Sequence, residues 1–391
     1  MNTTILNKEI QQFINANLRS DITKLILKGS PFEEISIQEM AEQIISKSKC
    51  ESKLQTWFKT ANIYFPNKLN IEQTSSEITA NYKANLVSGN SLIDITGGFG
   101  VDAYYFSQKV KNVIHCEINE GLSQIVTHNY EQLKTKNIET IVGDGLEYLE
   151  KSISKFDWIY SDPSRRNDVK GKVFLLEDCL PNIPENLDLL FEKSDTILLK
   201  ISPILDITSA INELKFVKEI HIVAIENEVK ELLFILEVNH NQQTDIKTIN
   251  FNKTNIQQFN FKLYNEVSST YSKPKKYLYE PNAAILKSGA FQQISAQLNV
   301  DKLHQHSHLY TSENLIDFPG RSFEIKHIIS YNKKELTKLI PSKKANITTR
   351  NFPETVAQIR KKTQLIDGGD QYLFFTTDIT NNHIVIICKK V

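Results

Sequence analysis

At 391 residues, with 40% apolar and 24% charged side chains, the chain has the composition of a globular protein of two or three domains, at roughly 100–200 residues each. The totals of 46 basic and 46 acidic residues hide an asymmetry: residues 241–391 carry 21 Lys+Arg against 12 Asp+Glu, a basic half that suits contact with a polyanion. Four cysteines at no metal or redox spacing, no apolar run long enough for a bilayer and no basic-then-apolar leader argue against a disulfide scaffold, a membrane span and secretion, and for reduced thiols in a cytoplasm.

Residues 1–70 are expected to form a helical cap. Ile5, Ile10, Phe13, Ile14 and Leu18 make one helical stripe, Ile22, Leu25 and Ile26 a second, and Ile37, Met40, Ala41, Ile44 and Ile45 a third. Ser30-Pro31-Phe32-Glu33 offers a cap residue, a proline for the first helical position and an acid for the first turn, so a helix is expected to start there. Pro66 closes the segment. A further helix, Glu72 to Ala84, leads into the first strand, and its Ser75, Ser76 and Lys83 stand where they would cover one side of a ligand or simply pack.

The middle of the chain, residues 71–240, is organised around Ser91-Leu-Ile-Asp-Ile-Thr-Gly-Gly-Phe-Gly-Val-Asp102. Leu92–Ile95 reads as a buried strand, Thr96-Gly97-Gly98-Phe99-Gly100 as a tight turn and Val101 onward as a helix, the unit that seats a nucleoside at the carboxyl edge of a parallel sheet. Asp94 lies inside the strand, two residues before the turn. A carboxylate there repels a pyrophosphate and receives an ammonium, which favours S-adenosylmethionine over NAD. Strands and helices then alternate: strands at 112–117, 138–142, 156–161 and 196–201, and helices at 121–133, 146–153, 178–191 and 205–214. Glu219–Ile225 and Glu231–Val238 stand too close together for a parallel crossover, so they are expected to end the sheet as an antiparallel hairpin.

Acids follow three successive strands. Glu117 comes 23 residues after Asp94, where a carboxylate can bond two ribose hydroxyls. Asp144, in Val142-Gly-Asp-Gly145, can accept from an adenine amino group, with Gly143 and Gly145 leaving room for the ring. After the fourth strand comes Tyr160-Ser-Asp-Pro-Ser-Arg-Arg166. Asp162 can accept a hydrogen bond from an attacking amine or hydroxyl, Pro163 fixes the backbone, and Arg165 and Arg166 can clamp a phosphate.

Beyond Val238, residues 248–263 read as extended strands hanging off the sheet. Lys273, Lys275 and Lys276 stand among Tyr271, Tyr277 and Tyr279, a mixture that suits a phosphate backbone and unstacked bases. His304-Gln-His-Ser-His308 would put three imidazoles on one strand face, with no companion acid or cysteine at a telling spacing, so no metal is expected. The last stretch reads as strands at 323–329, 345–349, 372–377 and 383–388 with helices at 333–340 and 353–361.

The turn Asp94-Ile-Thr-Gly-Gly-Phe-Gly100 with Glu117, Asp144 and Asp162-Pro-Ser-Arg-Arg166 resembles the class I S-adenosylmethionine-dependent methyltransferases. With Glu72-Gln-Thr-Ser-Ser-Glu77, Glu280-Pro-Asn-Ala-Ala284 and Asn351-Phe-Pro-Glu354, the whole chain resembles the bacterial members with a THUMP-like C-terminal domain. The resemblance implies an α/β fold with a Rossmann-like seven-stranded sheet whose last strand is antiparallel. It implies a linker and small ferredoxin-like module over 241–317 and a THUMP-like domain over 318–391. It implies a cofactor cradle from Asp94, Thr96, Gly97, Gly98, Gly100, Asp102, Glu117 and Asp144, with Asp162, Pro163, Arg165 and Arg166 at the reaction edge, and an RNA platform on which Arg350, Arg360, Lys361 and Lys362 are the candidates for phosphate contact.

Two departures stand out. Thr96 takes the place of the first glycine of the usual turn, and Ser164-Arg165 stands where amino-group methylases carry an aromatic that stacks on the base, leaving Tyr160 or Phe174 to stack. Cys179 is the one cysteine near enough for C5 chemistry and reads as helical. The expected function is methyl transfer from S-adenosylmethionine to a tRNA or rRNA base. The alternatives are a non-catalytic RNA-binding protein on the same fold and a methylase of small molecules or proteins.

Overall fold

The computed structural model describes residues 1–165 and 175–391. Two compact units make up the chain, one of residues 1–218 and 233–241, the other of 219–232 and 242–391.

The first unit opens with helices α1 (Lys8–Ala16), α2 (Ile22–Lys28), α3 (Ile37–Lys53) and α4 (Gln55–Lys59). Their apolar stripes meet in a core of Ile5, Ile10, Ile14, Leu25, Ile35, Ile37, Met40 and Ile44. The third helix starts at Ile37, not at Ser30. Ser36 accepts from the Glu39 N–H while Glu39 reaches back to the Ser36 N–H, a reciprocal capping box, whereas the Ser30 hydroxyl closes a local turn on Phe32. The helix expected over 72–84 is split into α5 (Lys68–Gln73) and α6 (Glu77–Ala84), because Ser76 caps the second piece by accepting from the Thr79 N–H.

Then come β1 (Gly89–Asp94), α7 (Val101–Phe106), β2 (Val110–Glu117), α8 (Glu120–Gln132), β3 (Ile138–Val142), α9 (Gly145–Lys151) and β4 (Trp158–Ser161). A short antiparallel pair, β5 (Ser164–Arg165) with β6 (Cys179–Leu180), precedes α10 (Ile183–Lys193), β7 (Thr196–Ile201) and α11 (Ile207–Glu213). The helix expected from residue 178 starts at Ile183, capped by Asn182, so Cys179 sits in a strand and is buried.

The strands β7, β4, β1, β2 and β3 lie side by side in that order, all parallel. Central strands of a parallel sheet carry near-continuous apolar runs, such as Ile197, Leu198 and Leu199 of β7, all fully buried. The chain continues as β8 (Val217–Ile225) and β9 (Glu228–Glu237), the latter next to β7. Only Glu226 and Asn227 separate them, both at positive φ, the conformation of the two-residue hairpin turn that matches strand twist. The second hairpin strand therefore begins three residues earlier than expected.

In the second unit β10 (Asp245–Phe251) pairs parallel with β8, and β11 (Ile256–Lys262) pairs antiparallel with β10. Residues 248–263 thus form strands, as expected, and extend from β8 within this unit. A separate seven-stranded sheet follows, built from β12 (Tyr277–Pro281), β13 (Asp301–Lys302), β14 (Tyr310–Ser312), β15 (Gly320–Ser330), β16 (Asn346–Arg350), β17 (Gln371–Thr377) and β18 (His383–Lys390). Helices α12 (Ala283–Ser288), α13 (Phe291–Leu298), α14 (Lys333–Leu339) and α15 (Val356–Thr363) complete it. Strand β12 pairs with β15, and at that joint a side chain on Gly320 would come within 2.1 Å of the Glu280 carbonyl oxygen. The histidine triplet lies on a turn, not a strand: the His306 N–H donates to His304 Nδ1, and His308 stacks on Phe291 at 3.6 Å.

Candidate active site

The carboxyl ends of the parallel strands collect the acids that stand out in the sequence. Asp94 ends β1, Glu117 ends β2, Asp144 follows β3 and Asp162 follows β4. Their exposure is graded: Asp94 and Asp102 are buried, Thr96, Gly97, Gly98, Glu117 and Asp162 are half-buried, and Asp144 is exposed.

The glycine turn is held from below and from the side. Gly97 donates to the Cys116 carbonyl at 2.8 Å, and Gly98 donates to Glu117 Oε2 at 2.9 Å. Gly100, at φ +74°, starts α7, and its carbonyl accepts from the Tyr130 hydroxyl at 2.9 Å. Glycine is required at 97 because a Cβ would lie 2.3 Å from the His115 ring, and at 100 because it would lie 2.2 Å from the Tyr130 oxygen. Gly145 is equally crowded, since a Cβ there would lie 2.5 Å from the Ile95 carbonyl oxygen, so it secures a close approach of α9 to the end of β1. Gly143, by contrast, has nothing within 4 Å.

Thr96 has a structural role that a glycine could not fill. Its hydroxyl lies 3.3 Å from Asp94 Oδ1 and accepts the Asp162 N–H at 2.7 Å, tying β1 to the loop after β4. Burial pushes Asp94 up to about 8, with the nearby Asp102 and Asp162 charges adding to it and the Thr96 hydrogen bonds opposing.

Asp102, in the first turn of α7, faces a buried set. It pairs with Lys83 at 3.0 Å and accepts from the Ser75 hydroxyl at 2.8 Å and the Tyr160 hydroxyl at 2.7 Å. Burial alone would raise its pKa, but the Lys83 and Lys200 ammonium groups and the Tyr160 hydroxyl outweigh it and hold the carboxyl below its ordinary value. Lys83 and Ser75 are therefore partners of Asp102. Tyr160 is buried with its ring edge against Phe106 at 4.9 Å, which removes it as a stacking surface for a base.

Two residues were not singled out in the sequence. Lys200, the penultimate residue of β7, forms an ion pair with Asp162. The available signal was a lysine inside the otherwise apolar run Ile197-Leu-Leu-Lys-Ile201. His115 lies fully buried under the glycine turn, where burial lowers its proton affinity to about 4 and keeps the ring neutral. Pro163 is buried beside Asp162; Arg166 and Phe174 lie outside the described residues.

The residues present fit an adenosyl cofactor that carries positive charge. The polar side chains along these three strand ends are acceptors, which suits hydroxyls, an amino group and an ammonium, and disfavours a pyrophosphate. Glu117 gives one oxygen to Gly98 and the other to the Asn119 N–H at 2.7 Å, and each oxygen keeps a second lone pair for a ribose hydroxyl. Asp144 is fixed by accepting the Leu146 N–H at 2.7 Å as the cap of α9.

Family models match the second unit: a ferredoxin-like domain over residues 277–319 and a THUMP domain-like family over 320–390. A protein of Porphyromonas gingivalis W83, assigned as a methyltransferase and known from a crystal structure, is 31% identical and superposes over 100% of this chain and 99% of its own with a TM-score of 0.89. An uncharacterised RNA methyltransferase of Mycoplasma mobile is 28% identical over 153 residues; this chain spans 42% of its length. TrmK of M. capricolum, solved with S-adenosyl-homocysteine, is 20% identical over 41% of this chain, with a TM-score of 0.31. With end-to-end likeness to the Porphyromonas protein and its C-terminal family match, the chain belongs to the S-adenosylmethionine-dependent methyltransferases that carry a THUMP-like C-terminal domain.

Proposed function

We propose that the protein methylates RNA, tRNA or rRNA, in the cytoplasm, with S-adenosylmethionine held at the ends of β1, β2 and β3. The observation that carries the reading is the set of Asp94, Glu117 and Asp144 at three consecutive parallel strand ends, around a turn in which Gly97 and Gly100 are sterically required. In this reading Asp94 faces the cationic end of the cofactor, Glu117 the ribose, and Asp144 the adenine, while Thr96, Gly97, Gly98, Gly100 and Asp102 shape and brace the turn. The cofactor, when bound, supplies an electrophilic methyl group. Asp162 and Pro163 frame the acceptor, and Arg165 and Arg166 meet its phosphates.

RNA as the acceptor is supported by the THUMP domain-like family match, by the RNA methyltransferase relative and by the basic balance of residues 241–391. Among the described residues no helix is long and apolar enough to cross a membrane. The test is transfer of tritiated methyl from S-adenosylmethionine to total RNA from a deletion strain and from its parent. Label entering only the deletion-strain RNA supports the reading. Label entering protein or small molecules, and no RNA, would overturn it.

A further inference from the structure

The pairing of Asp162 with Lys200 restricts what kind of atom can receive the methyl group. An aromatic amine that attacks an alkyl carbon acquires positive charge, so its site needs acceptors and a flat surface, not a cation. A hydroxyl behaves oppositely. Its proton must leave as the new bond forms, and its oxygen carries developing negative charge that an ammonium stabilises, most strongly where water is sparse. The Lys200 side chain is 13% exposed and that of Asp162 33%, so the charge pair is largely withdrawn from solvent while the carboxylate stays reachable.

Two further observations point the same way. Tyr160, one of the two aromatics that the sequence offers for stacking, is 1% exposed and turned to Asp102, so it presents no ring face to a base. Cys179, which covalent attack on a pyrimidine would need, is buried in β6.

We propose that the acceptor is the ribose 2′-hydroxyl of RNA, with Asp162 taking its proton and Lys200 holding that carboxylate and stabilising the charge on the oxygen; the inference rests on the RNA reading above. The acceptor oxygen bonds to the methyl carbon, the carbon–sulfur bond breaks with its electron pair going to sulfur, and the hydroxyl proton passes to the Asp162 carboxylate. The 2′-hydroxyl is the hydroxyl found at every internal nucleotide of RNA, so the choice of nucleotide falls to groups outside this pair.

The deciding measurement is mass spectrometry of nucleosides from total RNA of a deletion strain complemented with wild type, with Asp162→Asn or with Lys200→Met, alongside calorimetry of S-adenosylmethionine binding by the purified full-length variants. The expected result is a nucleoside methylated on its sugar that is absent from the deletion strain, restored by wild type and by neither variant. Cofactor binding by Lys200→Met should stay within about threefold of wild type. A missing base-methylated nucleoside would overturn the hydroxyl assignment and leave the RNA reading standing. If no nucleoside is missing, both fall. Loss of cofactor binding in Lys200→Met, or full product from it, would overturn the role given to Lys200.

Discussion

The Thr96 hydroxyl accepts the backbone N–H of Asp162 at 2.7 Å, so one side chain in the turn after β1 sets the position of the loop after β4. Because the same hydroxyl lies 3.3 Å from Asp94, Thr96 connects the strand end that bears Asp94 with the one that bears Asp162. Thr96→Val keeps the shape and leaves the Asp162 N–H without its partner, at a cost of about 1–3 kcal/mol. Thr96→Ser keeps the bond. Scanning calorimetry should therefore rank wild type and Ser close together and Val lower. Methyl transfer should fall with Val more than the lost stability explains, because Asp162 is displaced. A Val variant as active and as stable as wild type would remove the coupling.

The buried carboxyl of Asp94 makes both stability and cofactor affinity depend on pH. Burial raises it to about 8 in the folded chain, against an ordinary 3.8 when unfolded. The folded state thus holds a proton that the unfolded chain has released, and stability from this group falls as pH rises between those values. A bound cation favours the ionised form, so cofactor binding should release a proton below pH 8 and tighten as pH rises towards it. Calorimetry in buffers of different ionisation enthalpy measures that proton. Asp94→Asn should abolish proton release, flatten the stability profile and weaken binding. The same proton count from Asp94→Asn and wild type would assign the linkage to another group.

What could be read from the sequence was what local pattern encodes. The order of strands and helices from Gly89 to Ile201, the glycine turn and the acids at strand ends follow from periodicity and spacing, and the structure places all four acids at one sheet edge. Contacts between distant segments were not readable. Nothing local says that Lys83 reaches Asp102, that Lys200 pairs with Asp162, or that β10 runs parallel to β8, because each depends on how separate elements pack. The false start at Ser30 has the same origin. Two cap signals compete within seven residues, and the one that opens onto the apolar stripe of α3 prevails.

The glycine turn leans on His115. A Cβ on residue 97 would lie 2.3 Å from the imidazole, and that ring is fully buried, so it has little room to yield. Gly97→Ala should cost about 1–3 kcal/mol, as overpacking does, and weaken cofactor binding by shifting the turn. Adding His115→Ala removes the clashing ring. In a double-mutant cycle the pair should then be more stable than the sum of the single effects, with an interaction energy of about 0.5–3 kcal/mol. Strict additivity would show that the turn is positioned by something other than the ring beneath it.

The basic residues of the second unit divide into those that hold the fold and those left for a ligand. Glu280 is 3% exposed and receives both Arg321 and Arg350, the latter at 2.9 Å. Arg360 pairs with Asp367 at 2.5 Å and Lys362 with Glu354 at 2.9 Å, Lys275 is paired with Asp301 at 2.5 Å, and Tyr279 is buried and stacked on Phe318. Arg350 is therefore needed to neutralise a buried carboxylate. Arg350→Ala should destabilise the protein by about 3 kcal/mol, a typical cost of breaking a buried pair, and Glu280→Gln by a similar amount. Lys361 is exposed on the last turn of α15, and its replacement should leave the melting temperature unchanged. If it meets a phosphate, Lys361→Ala should weaken RNA binding and lower the slope of log K against log salt by roughly one. Filter binding of RNA across a salt series, paired with thermal melts, separates the two groups. An Arg350→Ala protein with wild-type stability and a reduced salt slope would reverse the assignment and make that arginine a phosphate contact.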